Sequence, residues 1–454
     1  MANKNILTYN AKITEIENTY FSPVAVLPTS GQAISTMYCF MSRAVPWLDE
    51  QNPDQPLQDQ SYLKTVHKNI FALKKIQSSD ISAVAQRIDW TLNTVYDYYK
   101  DNVNMFETDV NGFLLQNFYV RNSYDQIFKC LWNNNGAASV NEPLFQPGFY
   151  GSNNIYTGSD GYKWKYIYTI DTGSKAKFMD SNWIPVPIKD TSIDPLAKDA
   201  GCGDIEVINV INGGSKFDPA NSTISVVISG DGSGATAVAS SNNGSITNIT
   251  VTNSGTNYSY ATVSIVSAVG GNTSIVAPIS PIGGHGYDPV SELGCTNVML
   301  TASFSGSEGG AVPTDMDYRQ IGILNNPLAK STYPNSANDS IYKATTDFIV
   351  ASGFGTYAND EDLYQGTSLE TAAFRATVLS FDAASNIIKL INITGTPLLN
   401  SPVFGHSSGT VRTLLNVDYP DFITFSGKIN YIENRTGIQR SSDGIEQFKF
   451  ILGY

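Results

Sequence analysis

Few residues in this 454-residue chain have types suited to chemistry: three histidines, four cysteines and some glycine-flanked acids. His67, His285 and His406 lie far apart, and none sits in a pair spaced to place two imidazoles on one metal. His285 stands within Gly283-Gly284-His285-Gly286-Tyr287-Asp288. Glycines on both sides there suit a structural turn first and a ligand or metal contact second. Gly230-Asp231-Gly232-Ser233-Gly234 has the glycine density of a phosphate loop but lacks the Gly-Lys-Ser/Thr ending. It runs into Ala235-Thr236-Ala237-Val238 rather than a helix, which predicts a hairpin turn. Asp360-Glu361-Asp362 has the charge to chelate calcium without the spacing of an EF-hand loop, and is read as a solvated charge run. Cys39, Cys130, Cys202 and Cys295 contain no C-x-x-C. That pattern fits reduced, mostly buried thiols rather than a disulfide framework or a zinc site. No nucleophile elbow, Cys/His arrangement or dinucleotide fingerprint occurs. The sequence therefore calls for no enzyme activity, no cofactor and no metal.

The stretch from Gly158 to Ile188 is the most ordered in pattern. Gly158-Ser159-Asp160-Gly161 signals a turn. Tyr162, Trp164, Tyr166 and Tyr168 then alternate with Lys163, Lys165, Ile167 and Thr169, a period of two that predicts a strand with an aromatic face. Such a face either stacks sugars or packs against protein, and packing is the commoner use. Trp183-Ile184-Pro185-Val186-Pro187-Ile188 predicts an edge strand, because two prolines remove two ladder donors.

Charged residues make up only 15% of the chain and the net charge is −13, which disfavours non-specific nucleic-acid binding. No apolar run approaches a membrane span, and Met1 is not followed by a signal-peptide core; synthesis and assembly in a cytoplasm are expected. Along the chain, spacing predicts a weak helix over 6–20, a buried strand over 35–41 and an amphipathic helix over 59–77. Strand-like runs follow at 113–120 and 127–132, then at 298–304, 318–324, 374–381, 387–393, 410–415, 427–435 and 445–452. Residues 205–217 repeat at 246–258 with an offset of 41. Two copies are too few for a solenoid and predict a small β-module.

Several segments, in order, resemble one family. They are Pro46-Trp47 before an acidic, Pro-rich loop, Arg87-Ile-Asp89-Trp90, Phe128-Lys-Cys-Leu131 and Asp160-Gly-Tyr-Lys-Trp164 leading to Ile184-Pro-Val-Pro187. Arg319-Gln-Ile-Gly-Ile323, Asn326-Pro-Leu328 and Gly427-Lys-Ile-Asn-Tyr-Ile-Glu-Asn-Arg435 complete the set. Together they resemble the baseplate wedge subunit of T-even-type contractile-tailed phages, the gene product eight family, over about 1–195, 295–360 and 418–454. The resemblance implies a structural virion protein of the tail baseplate, dimeric, that joins other wedge subunits and moves with the baseplate rearrangement. The fold it implies for the core is a mixed α/β part with β-sandwich parts. The chain departs from that family pattern in two β-rich insertions, so the expected fold is a β-rich α+β one: a mixed α/β and β-sandwich wedge core with two inserted small β-modules. The expected layout is core at 1–200, a Gly-turn module at 203–281, core at 282–360, a second module at 361–416 and C-terminal core strands at 417–454. Trp47, Trp90, Glu433, Asn434 and Arg435 are the candidate interface residues; an internal salt bridge is the other reading of Arg435. The competing function is a tail-associated glycan-binding or depolymerising protein.

Overall fold

The computed structural model describes residues 36–43, 45–110, 112–147, 154–188, 203–218, 223–331, 333–334 and 336–453. The helix expected over 6–20, and Cys202, lie outside them. The elements begin with β1 (Met37–Ser42), α1 (Gln60–Asn69), β2 (Ile70–Ile76), β3 (Ile81–Gln86), β4 (Tyr119–Arg121) and β5 (Gln126–Trp132). Next come β6 (Ile155–Thr157), β7 (Lys163–Thr169), α2 (Thr172–Phe178), β8 (Trp183–Val186), β9 (Asn209–Ser215), β10 (Ser225–Gly230) and β11 (Thr236–Asn242). Then follow β12 (Ser245–Asn253), β13 (Ala261–Val266), β14 (Gly271–Val276), α3 (Pro289–Glu292), β15 (Asn297–Ser305), β16 (Asp317–Asn325) and β17 (Ile341–Lys343). The chain ends with β18 (Thr346–Val350), β19 (Asp362–Gln365), β20 (Phe374–Asp382), β21 (Ile387–Thr394), β22 (Pro402–Gly405), β23 (Val411–Asp418), β24 (Lys428–Gln439) and β25 (Ile445–Gly453). The protein is thus β-rich, with several sheets and a small closed barrel. It divides into two compact units, one built on Ser82–Met299 and one on Leu300–Phe450 together with the segment ending at Ile81.

In the first unit, β4, β5, β7 and β6 form an antiparallel sheet. Its aromatic face is buried as the alternation predicts: Tyr162, Trp164, Tyr166 and Tyr168 are all 0–3% exposed. Tyr162 stacks on Trp164, Tyr96 meets Trp164 edge-on, and Phe145 lies flat against Tyr166 at 3.9 Å. β8 takes the predicted edge position, pairing with β3. Residues 113–118 carry the expected apolar content without forming a strand; only Tyr119 and Val120 of the expected 113–120 run join the ladder, in β4.

The repeat explains itself in three dimensions. Ile208 and Ile249, equivalent positions in the two copies, bridge each other antiparallel. Phe217 N–H donates to Gly244 O at 2.9 Å, and the equivalent Tyr258 N–H donates to Gly203 O at 2.8 Å. β10 of one copy likewise pairs with β13 of the other. Pairing of equivalent residues with each other is what a local two-fold axis produces. The two copies close on one another around Ile205, Ile208, Phe217, Ile246, Ile249 and Tyr258. Gly230–Gly234 is not a hairpin turn, as the sequence suggested: it links β10 to β11, which pair with different strands.

The second unit holds an antiparallel sheet in the order β17-β2-β1-β16-β24. The amphipathic pattern over 59–77 is split: α1 ends at Asn69, and Ile70–Ile76 is strand β2. Asp59 caps α1, accepting from Tyr62 N at 2.8 Å. The unbroken apolar run Ile70-Phe71-Ala72-Leu73 then favours a strand buried on both faces over another helical turn. Gly322 in β16 is required by close approach: a Cβ there would lie 2.3 Å from Tyr431 O and 2.4 Å from the Phe40 ring. Strands β18, β21, β20, β19, β22 and β23 close into a barrel spanning Thr346–Asp418. Strand β18 pairs with both β21 and β23, so the barrel is shut by residues outside the expected 361–416 boundary. Glu361, expected to be solvated, is only 6% exposed and accepts from the amides of Ala358, Ser407 and Ser408.

Candidate functional site

Four of the five candidate interface residues come together in the second unit. Trp47 donates through its indole N–H to Arg435 O at 2.7 Å, under the Arg43 guanidinium 3.8 Å from its ring centre. Glu50, in the acidic loop, joins the same place: its carboxylate accepts from Trp47 N at 2.7 Å, Arg319 Nε at 2.7 Å and Gly437 N at 3.0 Å. Burial opposes its ionisation, but Arg319 and these amides hold its carboxyl below the usual range. Asn434 accepts from Gln320 Nε2 at 2.8 Å and donates to Asp54 O at 2.6 Å. The Pro-rich loop is therefore laid on the β24 strand by side-chain bonds. Glu433 and Arg435 pair with each other at 2.9 Å, each side chain 37% exposed. Trp90 belongs to the first unit, where its indole N–H donates to Ser139 Oγ at 3.0 Å. Asp89 beside it joins Arg87 and Arg121 at 2.8 and 2.7 Å.

A second cluster, which the sequence did not predict, occupies the face of the β5/β7 sheet opposite the aromatics. Lys129 and Lys165 are register partners on adjacent strands, so their side chains leave the same face. Lys129 Nζ meets Glu292 at 3.0 Å and Lys165 Nζ meets Glu206 at 3.0 Å, every side chain 1–2% exposed. His285 Nδ1 lies 2.5 Å from Glu292, whose other oxygen accepts from Gly286 N at 2.5 Å. Tyr99 covers Lys129 at 3.9 Å and meets the His285 ring edge-on. Lys163 reaches Ile208 O at 3.4 Å, and burial pushes its ammonium down to about 8.

The electrostatics follow from burial and pairing. Burial alone would raise the Glu292 carboxyl, yet Lys129 and then His285 bring it to about 2. Burial, and next the Lys129 charge, push His285 down to about 4, so the ring is neutral at pH 7. A neutral imidazole against a carboxylate resembles acid–base machinery, but a general base needs reach to a substrate proton. Here the groups are closed off. What the cluster does is mechanical: Glu206 lies where the chain enters the repeat and His285 and Glu292 where it has left it, so the ion pairs clamp both ends onto one sheet. Ser280 adds a hydrogen bond to Asp204, joining those two ends directly.

His285 thus proves to be a buried pairing residue within a turn. His67 is buried on α1, and His406 sits in the turn after β22. Cys39, Cys130 and Cys295 are buried free thiols. Among the described residues no cluster of His, Cys, Asp and Glu has metal-binding geometry, and no helix is long and apolar enough to cross a membrane. No family model matches the chain, and no curated protein matches it either.

Proposed function

We propose that the chain is a non-enzymatic structural subunit of a contractile phage tail baseplate, joining neighbouring wedge subunits, with a second copy of itself among its partners. The observation that carries this reading is the ordered set of wedge-like segments, several of which occupy connected places in the fold. Pro46-Trp47, the acidic loop, Arg319 and Glu433-Asn434-Arg435 meet in one hydrogen-bonded patch. Loops and strand ends held on a rigid sheet are where partner contacts tend to be placed. Charge chemistry, by contrast, is spent on internal pairs. The glycan-binding alternative loses one of its supports, because the aromatic face on β7 is buried.

The test is to locate the chain in a density map of the whole tail particle. The reading expects it within the baseplate wedge, contacting at least one different subunit through the Trp47–Arg435 patch, and absent from the virion outside the tail. Placement on a fibre or spike, or glycan-array binding by the purified chain, overturns it.

A further inference from the structure

The second unit holds a cavity of about 320 Å³ that the assembly role leaves unused. Its floor is apolar: Phe374 and Leu390 of the barrel and Phe422 of the following segment are at most 3% exposed. One wall is the last turn of α1, which contributes His67 and Lys68. The Lys68 ammonium donates to Thr394 Oγ1 at 3.2 Å and has no carboxylate partner among the described residues. His67 is 9% exposed, and its Nδ1 has no hydrogen-bond partner among the described residues. Burial lowers its basicity, so Lys68 is the cation of this wall.

The rim adds a further sign. Phe425 holds a backbone φ of 70°, in the left-handed region that a bulky side chain rarely adopts, and the residue is 52% exposed. Strain of this kind clusters at ligand clamps. Volume, apolar floor and a single lysine with no carboxylate partner among the described residues together match the composition of small-ligand sites, which run from about 300 Å³ upward with a few placed polar groups. We propose that this cavity binds a small apolar molecule ending in a carboxylate, the tail on the Phe374–Leu390–Phe422 floor and the carboxylate on Lys68.

Calorimetric titration of the full chain with decanoate, and with decanol as the uncharged control, tests this. Decanoate binds with a negative heat-capacity change, the mark of apolar burial. Lys68→Gln keeps the wild-type unfolding midpoint and weakens decanoate by about tenfold, the loss of one charge-assisted contact, while decanol is unaffected. Thr396→Trp, which places a ring at the exposed mouth, removes both ligands; Ile393→Trp inside the cavity is the second blocking variant. No heat with decanoate overturns the proposal. So does equal binding of decanoate to wild type and Lys68→Gln, or binding that survives both tryptophan variants.

Discussion

The barrel's six strands close on themselves around an apolar cluster that includes Phe348, Leu363, Val378, Leu390 and Leu414. The 203–281 repeat consists instead of three separate strand pairs, with Val227, Val238 and Val266 left exposed on their outer faces. Its root carries Glu206, with Glu292 shortly after it, on two buried lysines. Closure removes strand edges, so an apolar core suffices to define the barrel. Open strand pairs can slide against a flat neighbour, since apolar contact is non-directional. A buried ion pair contributes little net stability because desolvation offsets attraction, but it tolerates only one geometry. The contrast teaches that this chain uses apolar burial to build a module and buried charge to position one.

The largest effect expected from breaking the charged anchor is in Lys165→Met. It removes the ammonium that pairs with the buried Glu206 carboxylate at 3.0 Å, and breaking a buried pair from one side costs about 3–5 kcal/mol. Urea unfolding followed by tryptophan fluorescence reads it, since Trp164 lies on the same strand. The double variant Lys165→Met/Glu206→Leu restores most of the loss, because a pair replaced by apolar groups of similar volume is near neutral. If the single variant loses less than about 1 kcal/mol, or the double variant loses as much as the single, the anchor is not what holds this root.

Acid should find the same anchor. Glu292 is held at about 2 in the folded chain against 4.5 when free, so its contribution is complete above pH 4.5 and is lost as pH falls toward 2. His285 is held at about 4 against 6.5; the folded state resists its protonation, so stability declines as pH falls from 6.5 through 4. Both act in one direction, and the unfolding midpoint should drop steadily from pH 6.5 downward. His285→Gln should flatten the upper part of that slope. A wild-type midpoint unchanged between pH 6.5 and 4 would remove the buried histidine from the account.

The apolar half of the comparison is sharpened by Leu363→Ala in the barrel. Leu363 is fully buried in a strand of four residues that can relax toward the vacated space. The loss should sit near the lower end of the Leu→Ala range, about 2–3 kcal/mol. Hydrogen exchange should show it confined to barrel amides, with those of Ile208 and Ile249 as protected as before. Loss of protection at both places would mean that the modules do not stand on separate supports.

Periodicity made the strands legible wherever one face was apolar. The β7 alternation and the barrel strands at 374–382 and 387–394 follow from it directly, while the edge position of the Trp183–Val186 strand follows from its prolines. It failed where two periods overlap: Leu63, Val66, Ile70 and Leu73 satisfy helical spacing, yet the chain changes from helix to strand at Ile70. The charged anchor was hidden for another reason. Lys129 lies more than 150 residues from Glu292, and no local pattern reports such a pair. One clue was present: a lysine inside the apolar run Ile127-Phe128-Lys129-Cys130-Leu131-Trp132 must either reach water or meet a buried acid. The two-fold closure of the repeat was legible as similarity but not as pairing, because sequence similarity does not say which copy a strand bonds.

Arg435→Ala should have the smallest effect on folding, and for that reason it isolates function. Its partner Glu433 lies two residues away on the same strand, and both side chains are 37% exposed. Exposed pairs of this kind contribute about 0–1 kcal/mol, so the unfolding midpoint should barely move. The Trp47 indole contact is made by the Arg435 backbone carbonyl and survives the substitution. Any loss of co-purification with wedge neighbours would therefore report the guanidinium itself, at an interface where removing one member of a desolvated pair costs about 2–5 kcal/mol. Trp47→Ala is the useful counterpart, because it removes the bond to β24 and the ring under Arg43, and should lower stability and association together. If Arg435→Ala lowers the midpoint as far as Trp47→Ala does while association persists, the Glu433–Arg435 pair belongs to the fold, and the interface must be sought on another face.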